Sequence, residues 1–486
     1  MMFAPMILLA AVATSGANAG SATFSVSSLQ SLMETLCKPE WVGRLTGTEG
    51  EKAAAKFIAG EFRKAGLRPG GDDGTFFHEF DVRVNQRPSG QNMLVIEREG
   101  QQPVWPTLGT EYVPLVGSTQ GRLRSGNVVF VGFGTQEEID AVSSDLQGSI
   151  AVVIRGDRTE QERPTSNTIK ARALATAGVD AIVFVGPLLP GSPEVPPTAR
   201  NAGIPPNLNI AAFGLHRKHA NALSGMTFEQ LREAKPQRLP TRIRHLAGLE
   251  ANDTKGTNVI GILPGNDPKL RNEYIIIGAH YDHLGWGEVG SRTGVERPHV
   301  GADDNASGTV GVIELARYFA ETRSNRRTII FQAYSGEEVG LVGARAWVRD
   351  NQDFIKNTTA MINLDMIGRL RPEPGLVIYG AESAKEFGPI LAGVNFTGNF
   401  APTGAISGNS DHAPFAGSGV PILFFNTGLH NEYHTERDTP ETINYEGMAE
   451  VLSVIVETVK GIDRINGLLQ WNPESPFQRR VPARPN

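Results

Sequence analysis

Between residues 256 and 463 the sequence alternates short apolar runs with longer amphipathic stretches. The apolar runs predict strands at residues 274–277, 328–333, 360–364, 376–379 and 421–425. Between these runs, apolar residues recur at helical spacing, as at 307–320 and 341–349. A last amphipathic helix is expected at 445–462. Strands that are apolar on both faces need cover on both faces, which the helices of parallel crossovers supply. This part of the chain therefore predicts an α/β fold with a mostly parallel sheet flanked by helices.

Two other regions precede this one, and 486 residues are too many for a single core. The first, residues 24–114, contains an amphipathic helix at 51–65 and strands at 80–84 and 92–96. The second, residues 115–245, is rich in β runs, at 127–131, 149–154, 181–185 and 209–213, with a helix at 169–177. We therefore predict an insert at 115–245, a second part of the main domain at 246–470 and a disordered tail at 471–486, where Pro and Arg are frequent.

Composition excludes several classes of protein. The net charge of −6 comes from mixed charges without a basic run, which argues against nucleic-acid binding. No segment approaches ~20 continuous apolar residues, so no integral membrane span is expected. Cys37 is the single cysteine, which rules out an intramolecular disulfide, and no Cys-His motif surrounds it.

The amino terminus has the pattern of an export signal. Residues 6–13 are apolar, and Ala17-Asn18-Ala19 fits a small-x-small cleavage site. The first residues lack Lys and Arg, so an apolar amino terminus on a cytosolic enzyme is the alternative. We expect residues 1–19 to be a signal peptide and the protein to be exported, to the periplasm or the extracellular space.

Acidic and imidazole side chains follow the predicted strands of the third region. They are His280 and Asp282, Asp303 and Asp304, Glu337 and Glu338, Asp365, and Tyr433 with His434. Ligands of open α/β sheets bind outside the carboxyl ends of the strands, where these groups are expected to converge. So many carboxylates would repel one another without a cation. Imidazole and carboxylate ligands without cysteine are typical of an open catalytic zinc site.

Each of these residues also has a structural interpretation when taken alone. His280 could be a core histidine and Asp304 a helix N-cap. Glu337 and Glu338 could stabilise a helix dipole, and His434 could lie in a surface loop. It is their joint order along one chain that favours a metal site.

Five segments together resemble the metal motifs of the M28 family of zinc exopeptidases. They are His-Tyr-Asp-His-Leu-Gly at 280–285, Gly-Ala-Asp-Asp-Asn-Ala-Ser-Gly at 301–308, Ser-Gly-Glu-Glu at 335–338, Asn-Leu-Asp-Met-Ile-Gly at 363–368 and Glu-Tyr-His-Thr at 432–435. The resemblance implies the zinc exopeptidase fold, a mixed but mostly parallel sheet. The insert at 115–245 resembles the β-rich protease-associated domain that some members carry.

The resemblance also implies roles for single residues. It implies two Zn²⁺ ions per chain, the first bound by His280, Asp304 and Asp365 and the second by Asp304, Glu338 and His434. Asp304, rather than Asp303, would bridge the two ions, and its peptide bond to Asn305 would be cis. The catalytic group would comprise Glu337 as the general base, Tyr433 as a donor to the oxyanion and Asp282 as the partner of His280. His283 and Arg369 are not assigned as ligands.

The function implied is removal of residues from the amino termini of peptides by a metal-activated water. A carboxypeptidase or dipeptidase of the same family is the main alternative, because members with this insert include both. A single-zinc glutaminyl cyclase and a receptor-like binding protein are further alternatives. Peptides are the expected partners, and the sequence does not indicate an oligomeric state.

Overall fold

The computed structural model describes residues 22–158, 167–186, 204, 208–287, 290–293, 297–396, 398–405 and 409–475. The predicted signal peptide at 1–19 and residues 476–486 of the predicted tail lie outside the described residues. The described strands, numbered in chain order, are β1 Arg68–Pro69, β2 Phe77–Pro88, β3 Met93–Arg98, β4 Tyr112–Pro114, β5 Arg124–Phe130, β6 Ile150–Ile154, β7 Ala181–Val185, β8 Ala211–Leu215, β9 Gln237–Leu246, β10 Leu249–Leu263, β11 Tyr274–His280, β12 Thr328–Tyr334, β13 Thr358–Leu364, β14 Leu376–Tyr379, β15 Phe400–Thr403 and β16 Ile422–Asn426.

The α-helices of the same residues are α1 Val26–Leu36, α2 Glu49–Lys64, α3 Gln136–Asp140, α4 Ser143–Leu146, α5 Asn167–Thr176, α6 Ala220–Ser224, α7 Phe228–Glu233, α8 Gly308–Thr322, α9 Val342–Asp350, α10 Gln352–Lys356, α11 Phe387–Ala392, α12 His412–Gly417 and α13 Tyr445–Arg464. Within the part of the chain that the structure describes, none is both long and apolar enough to cross a membrane.

The larger sheet has nine strands in the order β1-β10-β12-β11-β13-β16-β14-β15, with β2 paired to β10. The central strands β12, β11, β13 and β16 are parallel to one another. β10 and β14 flank them in antiparallel pairing. The predicted α/β class, with a mixed sheet flanked by helices, is confirmed, but among the described strands of this sheet antiparallel pairs are as frequent as parallel ones.

Both faces of this sheet are covered, as the apolar strands predict. Along β11, Ile275 and Ile277 belong to one hydrophobic cluster, with residues of α1, α2, α8 and α13. Ile276 points the other way and packs with residues of α9 and α12. Alternate residues of a strand face opposite sides of a sheet, so a strand covered by helices on both sides must be apolar throughout.

A second sheet of seven strands has the order β3-β9-β5-β6-β7-β8-β4. β5 to β8 are parallel, and helices cover both of its faces, with α6 and α7 on one side and α3, α4 and α5 on the other. β3 and β4 pair with β9 and β8, so the boundary expected at residue 115 falls inside this sheet. Local sequence shows that a strand forms but not which sheet its edges join.

The two sheets are joined by a long antiparallel pair that the sequence patterns did not predict. β2 and β10 pair from Phe77 with Val259 to Pro88 with Leu249, with a register shift beside Asn252. The chain then continues from β2 into β3, and it returns from β9 into β10.

The folded part of the chain extends beyond the boundary expected at residue 470. The backbone N–H of Asn472 donates a hydrogen bond to the carbonyl of Ser383.

Arg44 ties together the segments on which the loops around His280 and Asp304 rest. Its side chain is fully buried. The guanidinium donates to the carbonyls of Tyr281 at 2.6 Å, Leu36 at 2.8 Å, Val300 at 2.6 Å and Gly301 at 3.1 Å. One cation thereby donates to four carbonyl groups from three separate segments of the chain.

We expect Arg44→Met to lower the free energy of unfolding by about 3–5 kcal/mol, the usual cost of breaking a buried charged network. The methionine fills similar space but removes the four hydrogen bonds that the guanidinium donates. Urea unfolding followed by circular dichroism measures the change. Arg68→Met, at an exposed position, is the control, and equal midpoints for the two variants would contradict the role given to Arg44.

Candidate metal centre and active site

The residues singled out from the sequence meet at the carboxyl ends of the parallel strands. His280 is the last residue of β11, Glu337 and Glu338 follow β12, and Asp365 follows β13. Asp304 lies in the turn before α8, and His434 lies in the segment after β16. Parallel strands end at one edge of a sheet, so residues that are distant in sequence become neighbours there.

A first cluster contains His280, Asp304 and Asp365, all three buried. The His280 Nε2 atom lies 3.4 Å from Asp304 Oδ1 and 3.6 Å from Asp365 Oδ1. One ligand atom from each residue lies within 4.8 Å of the others, close enough for a single ion to contact all three.

A second cluster forms on the other carboxylate oxygen of Asp304. His434 Nε2 lies 3.0 Å from Asp304 Oδ2 and 3.3 Å from Glu338 Oε2. Asp304 therefore presents one oxygen to each cluster, the geometry of a bridging carboxylate. All five residues expected to bind metal come together here.

His283 also lies beside the second cluster, although its sequence context did not identify it as a metal ligand. Its Nδ1 lies 2.7 Å from Glu338 Oε1 and 3.9 Å from Asp304 Oδ2. These three residues form a group able to hold an ion, and the buried Nε2 atom of His283 has no hydrogen-bond partner in the part of the chain that the structure describes. The available signal was the pair His280 and His283, three residues apart directly after a strand.

The backbone that carries Asp304 is fixed from several sides. The predicted cis peptide bond between Asp304 and Asn305 is confirmed. The carboxylate of Asp438 accepts hydrogen bonds from the N–H groups of Asp303 and Asp304, each at 3.0 Å. The Asn305 side-chain amide donates to the Leu364 carbonyl at 2.9 Å. The side chain of Asp304 is thus held in place by its own turn.

Asp282 is fully buried and holds two parts of the site. Its Oδ2 accepts from the hydroxyl of Thr46 at 2.8 Å, and its Oδ1 accepts from the backbone N–H of Glu337 at 3.2 Å. The expected contact with His280 is made mainly by the backbone, since His280 Nδ1 lies 3.1 Å from the Asp282 carbonyl and 3.6 Å from its carboxylate. Asp282 thereby positions both the His280 ring and the start of the Glu337 segment.

The charges of the site are strongly coupled. Burial opposes ionisation of Asp304, but hydrogen bonds from His280 and His434 hold the pKa of that carboxyl well below its usual range. Burial likewise opposes ionisation of Glu338, and the charge of His434 lowers its pKa to about 2. For Glu337, burial and the charge of Glu338 outweigh the nearby His280 and raise the pKa well above its usual range.

A cavity of about 180 Å³ opens beside these groups. It has the volume of roughly six waters at ~30 Å³ each, which is small for a substrate site. Four residues of the metal clusters line it, together with apolar and polar side chains from the surrounding loops and strands. The lining residues include His280, Asp304, Glu337, Asp365, Met366, Tyr379, Asn409, Phe424, Asn426, Leu429, Tyr433 and His434. The Tyr433 ring stacks on the ring of His434, with 3.9 Å between centroids.

The sequence and the fold of this chain are similar to those of known proteins. Residues 258–459 match the sequence pattern of the family described as Peptidase family M28. Aminopeptidase YwaD of Bacillus subtilis is 25% identical over 451 residues, which cover 86% of this chain and 81% of the relative. A probable zinc metalloprotease of Pyrenophora teres is 38% identical over 119 residues, only 24% of each chain. The solved structure of BSAP, a zinc aminopeptidase from Bacillus subtilis, aligns with a TM-score of 0.61 at 22% identity, over 90% of this chain and 94% of that one.

The fold and the matched segment together define a hydrolase of the peptidase class. The chain is an M28 aminopeptidase-like protein, and its M28 segment contains every residue of the two clusters.

Proposed function

We propose that this protein is a zinc-dependent aminopeptidase that holds two Zn²⁺ ions per chain. The observation that carries the proposal is the position of Asp304, with one carboxylate oxygen 3.4 Å from His280 Nε2 and the other 3.0 Å from His434 Nε2. Two separate ligand groups that share one carboxylate are what a pair of metal ions requires.

The chemistry of the donor atoms fits zinc. Only nitrogen and oxygen atoms are offered, because Cys37 is buried against Met33 and the Val300 carbonyl. Imidazole and carboxylate ligands suit zinc, and an open catalytic site keeps room for a water. His280, Asp304 and Asp365 would hold the first ion. Asp304, Glu338 and His434 would hold the second, with His283 donating to Glu338.

Burial gives this fit its energetic basis. Asp304, Glu338 and Asp365 expose 5%, 5% and 12% of their side chains, so their negative charges are poorly screened by water. Buried charges persist only when they are paired or coordinate a metal. Two divalent cations would balance the negative charge of the carboxylates, so that the histidines would not have to be protonated to do so.

When bound, the zinc pair supplies an activated water and a polarised scissile carbonyl. Glu337, in the cavity wall, accepts the proton of the attacking water and passes it to the leaving amine. Asp282 fixes the backbone N–H of Glu337 and so sets the position of this base.

Tyr433 lines the cavity, and we assign to it the stabilisation of the negative charge that develops on the carbonyl oxygen. Burial, together with the negative charge of Asp304, raises the pKa of Tyr433 well above its usual range, so the phenol stays protonated. A preorganised donor aimed at an oxyanion contributes about 10²–10³ in kcat.

We expect Tyr433→Phe to lower kcat by about 100-fold, while KM changes little, because the lost hydrogen bond acts in the transition state. Steady-state kinetics on a leucine anilide measures both constants. Tyr379→Phe is a matched control, since Tyr379 lines the same cavity and stacks on Phe424. Similar kcat values for the two variants would remove Tyr433 from the mechanism.

The cavity wall favours an amino terminus over a carboxyl terminus. Among the described residues that line it there is no Arg or Lys, whereas Glu337, Asp365 and two asparagines are present. A carboxypeptidase needs a cation for the terminal carboxylate. Arg369, a candidate for that role, is instead paired with Glu432 at 3.0 Å. The small cavity accommodates one terminal side chain, as an exopeptidase requires.

Mass spectrometry of the products from peptides with free and with acetylated amino termini tests the function. We expect stepwise loss of amino-terminal residues from the free peptides and no cutting of the acetylated ones. Loss of carboxyl-terminal residues would instead establish a carboxypeptidase. Ring closure at amino-terminal glutamine without hydrolysis would indicate a cyclase.

We also propose that the protein is exported, because residues 1–19 carry the pattern of a signal peptide. A mature chain beginning at Gly20, measured by intact-mass analysis of the protein from its native host, is the expected result.

The seven-stranded unit is proposed to be a protease-associated domain on the basis of its place in the chain.

A further inference from the structure

The seven-stranded sheet contains a cavity of about 320 Å³ that no part of the proposed chemistry uses. It lies at the edge where the parallel strands β7 and β8 begin, next to the start of β5 and the end of β9. The lining residues that carry the argument are Gln120, Arg122, Arg124, Asp180, Asn209 and His245. We call it the His245 cavity.

Backbone hydrogen bonds hold the wall of the His245 cavity in place. The N–H of Thr119 donates to the Ile210 carbonyl at 2.9 Å, and the N–H of Gly121 donates to the Ala247 carbonyl at 3.1 Å. The segment that carries Gln120 and Arg122 is therefore tied to both neighbouring strands. Such a volume is roughly ten waters at ~30 Å³ each, and it reaches the lower end of the range for small-ligand sites.

His245 is the unusual residue of this cavity. It is 1% exposed, yet among the described residues neither ring nitrogen has a hydrogen-bond partner. The edge-to-face contact with Phe213, at 5.4 Å between centroids, fixes the ring. Burial, against the opposing charge of Asp180, lowers the pKa of His245 to about 4, so the ring is neutral near pH 7 and carries one N–H. An unmet buried donor costs about 1–3 kcal/mol, and an acceptor from a ligand would relieve that cost.

Arg124 is directly opposite His245 in the antiparallel pair of β5 and β9, so the two side chains share one face of the sheet. The Arg124 guanidinium is paired with the carboxylate of Asp180 at 2.9 Å. Within the described residues Arg122 makes no hydrogen bond or ion pair, and its side chain is left with an uncompensated charge. The cavity thus has a net charge of one positive unit beside an unmet imidazole N–H.

We propose that the His245 cavity binds a small carboxylate, with Arg122 pairing with the anion and the His245 ring donating to it. One negative charge on the ligand would neutralise the single net positive charge of the cavity. A planar carboxylate matches the fork of a guanidinium and still has lone pairs for the ring N–H. The carboxylate could belong to a free amino acid or to the carboxyl-terminal residue of a short peptide, and both present the same chemistry.

Nuclear magnetic resonance of the full chain, labelled with ¹⁵N-histidine, tests this proposal. The His245 ring signals are assigned by their loss in His245→Phe. The probes are acetate, leucine, N-acetylleucine and leucinol, in which an alcohol replaces the carboxylate and which has no bond for a peptidase to cut. We expect saturable shifts of the His245 signals with the carboxylates and none with leucinol. A response to leucine alone identifies a free amino acid as the ligand, and a response to N-acetylleucine alone identifies a peptide terminus.

Arg122→Gln is expected to weaken carboxylate binding at least tenfold, and Arg172→Gln, at an exposed position of the same unit, is expected to leave it unchanged. Both positions are exposed, so the comparison does not depend on whether His245→Phe folds. The proposal is wrong if no carboxylate shifts the His245 signals saturably, if leucinol acts like leucine, or if Arg122→Gln binds as tightly as the unchanged protein.

Discussion

Replacing Glu337 by Gln is expected to lower kcat by roughly 10²–10⁴-fold, the usual contribution of a positioned general base. The amide has nearly the same shape as the carboxylate but cannot accept the proton of the attacking water. Glu337 is not a member of either metal-holding group, so zinc content is expected to stay unchanged. Steady-state kinetics and metal analysis of one preparation give both quantities.

Glu137→Gln serves as the matched control, because Glu137 is exposed on α3, far along the chain from the metal-site residues. It is expected to retain full activity. If Glu337→Gln kept normal turnover, another group would have to accept the proton. If it lost zinc together with activity, Glu337 would be a ligand rather than the base.

The substitution Asp304→Asn is expected to have the larger effect on the metal centre. Asparagine keeps the volume of the side chain, and the bonds from the Asp303 and Asp304 N–H groups to Asp438 use backbone atoms that do not change. A neutral amide cannot bridge two cations as a carboxylate does. Since changes in the partners of metal ligands already cost 10–100-fold in affinity, removal of the shared ligand is expected to cost more than about 100-fold.

Zinc content measured after dialysis against a weak chelator reports this loss directly. We expect near two zinc ions in the unchanged protein and fewer than one in Asp304→Asn, with activity reduced in parallel. Asp353→Asn is the control, since that side chain is 96% exposed and pairs with Lys356. Two retained zinc ions in Asp304→Asn would contradict the bridging role.

Much of the metal site could be predicted from sequence because His280, Glu338 and Asp365 lie at or just after the ends of apolar strands. Apart from the half-buried Tyr274, these strands are buried along their length, and such strands are recognisable from composition alone. Parallel pairing then brings their ends together. The structure places all five expected ligands within two adjoining clusters.

Other features could not be predicted because they depend on contacts between distant segments. A strand at 80–84 was predicted, but its pairing with β10 joins segments more than 150 residues apart, which local sequence does not reveal. The proximity of His283 to Glu338 depends on a loop conformation. The carboxylate of Asp282 turns out to hold the Glu337 N–H more closely than the His280 ring. Arg44 and His245 are ordinary residues in the sequence, and only packing makes them unusual.

Stepwise return of zinc to the metal-free protein, with hydrolysis of a leucine anilide measured at each step, tests the central claim most directly. The shared Asp304 predicts that activity continues to rise until about two zinc ions are bound per chain, as expected for a two-metal site. Full activity at one zinc ion per chain, or activity that persists after the metal has been removed, would contradict the proposed centre.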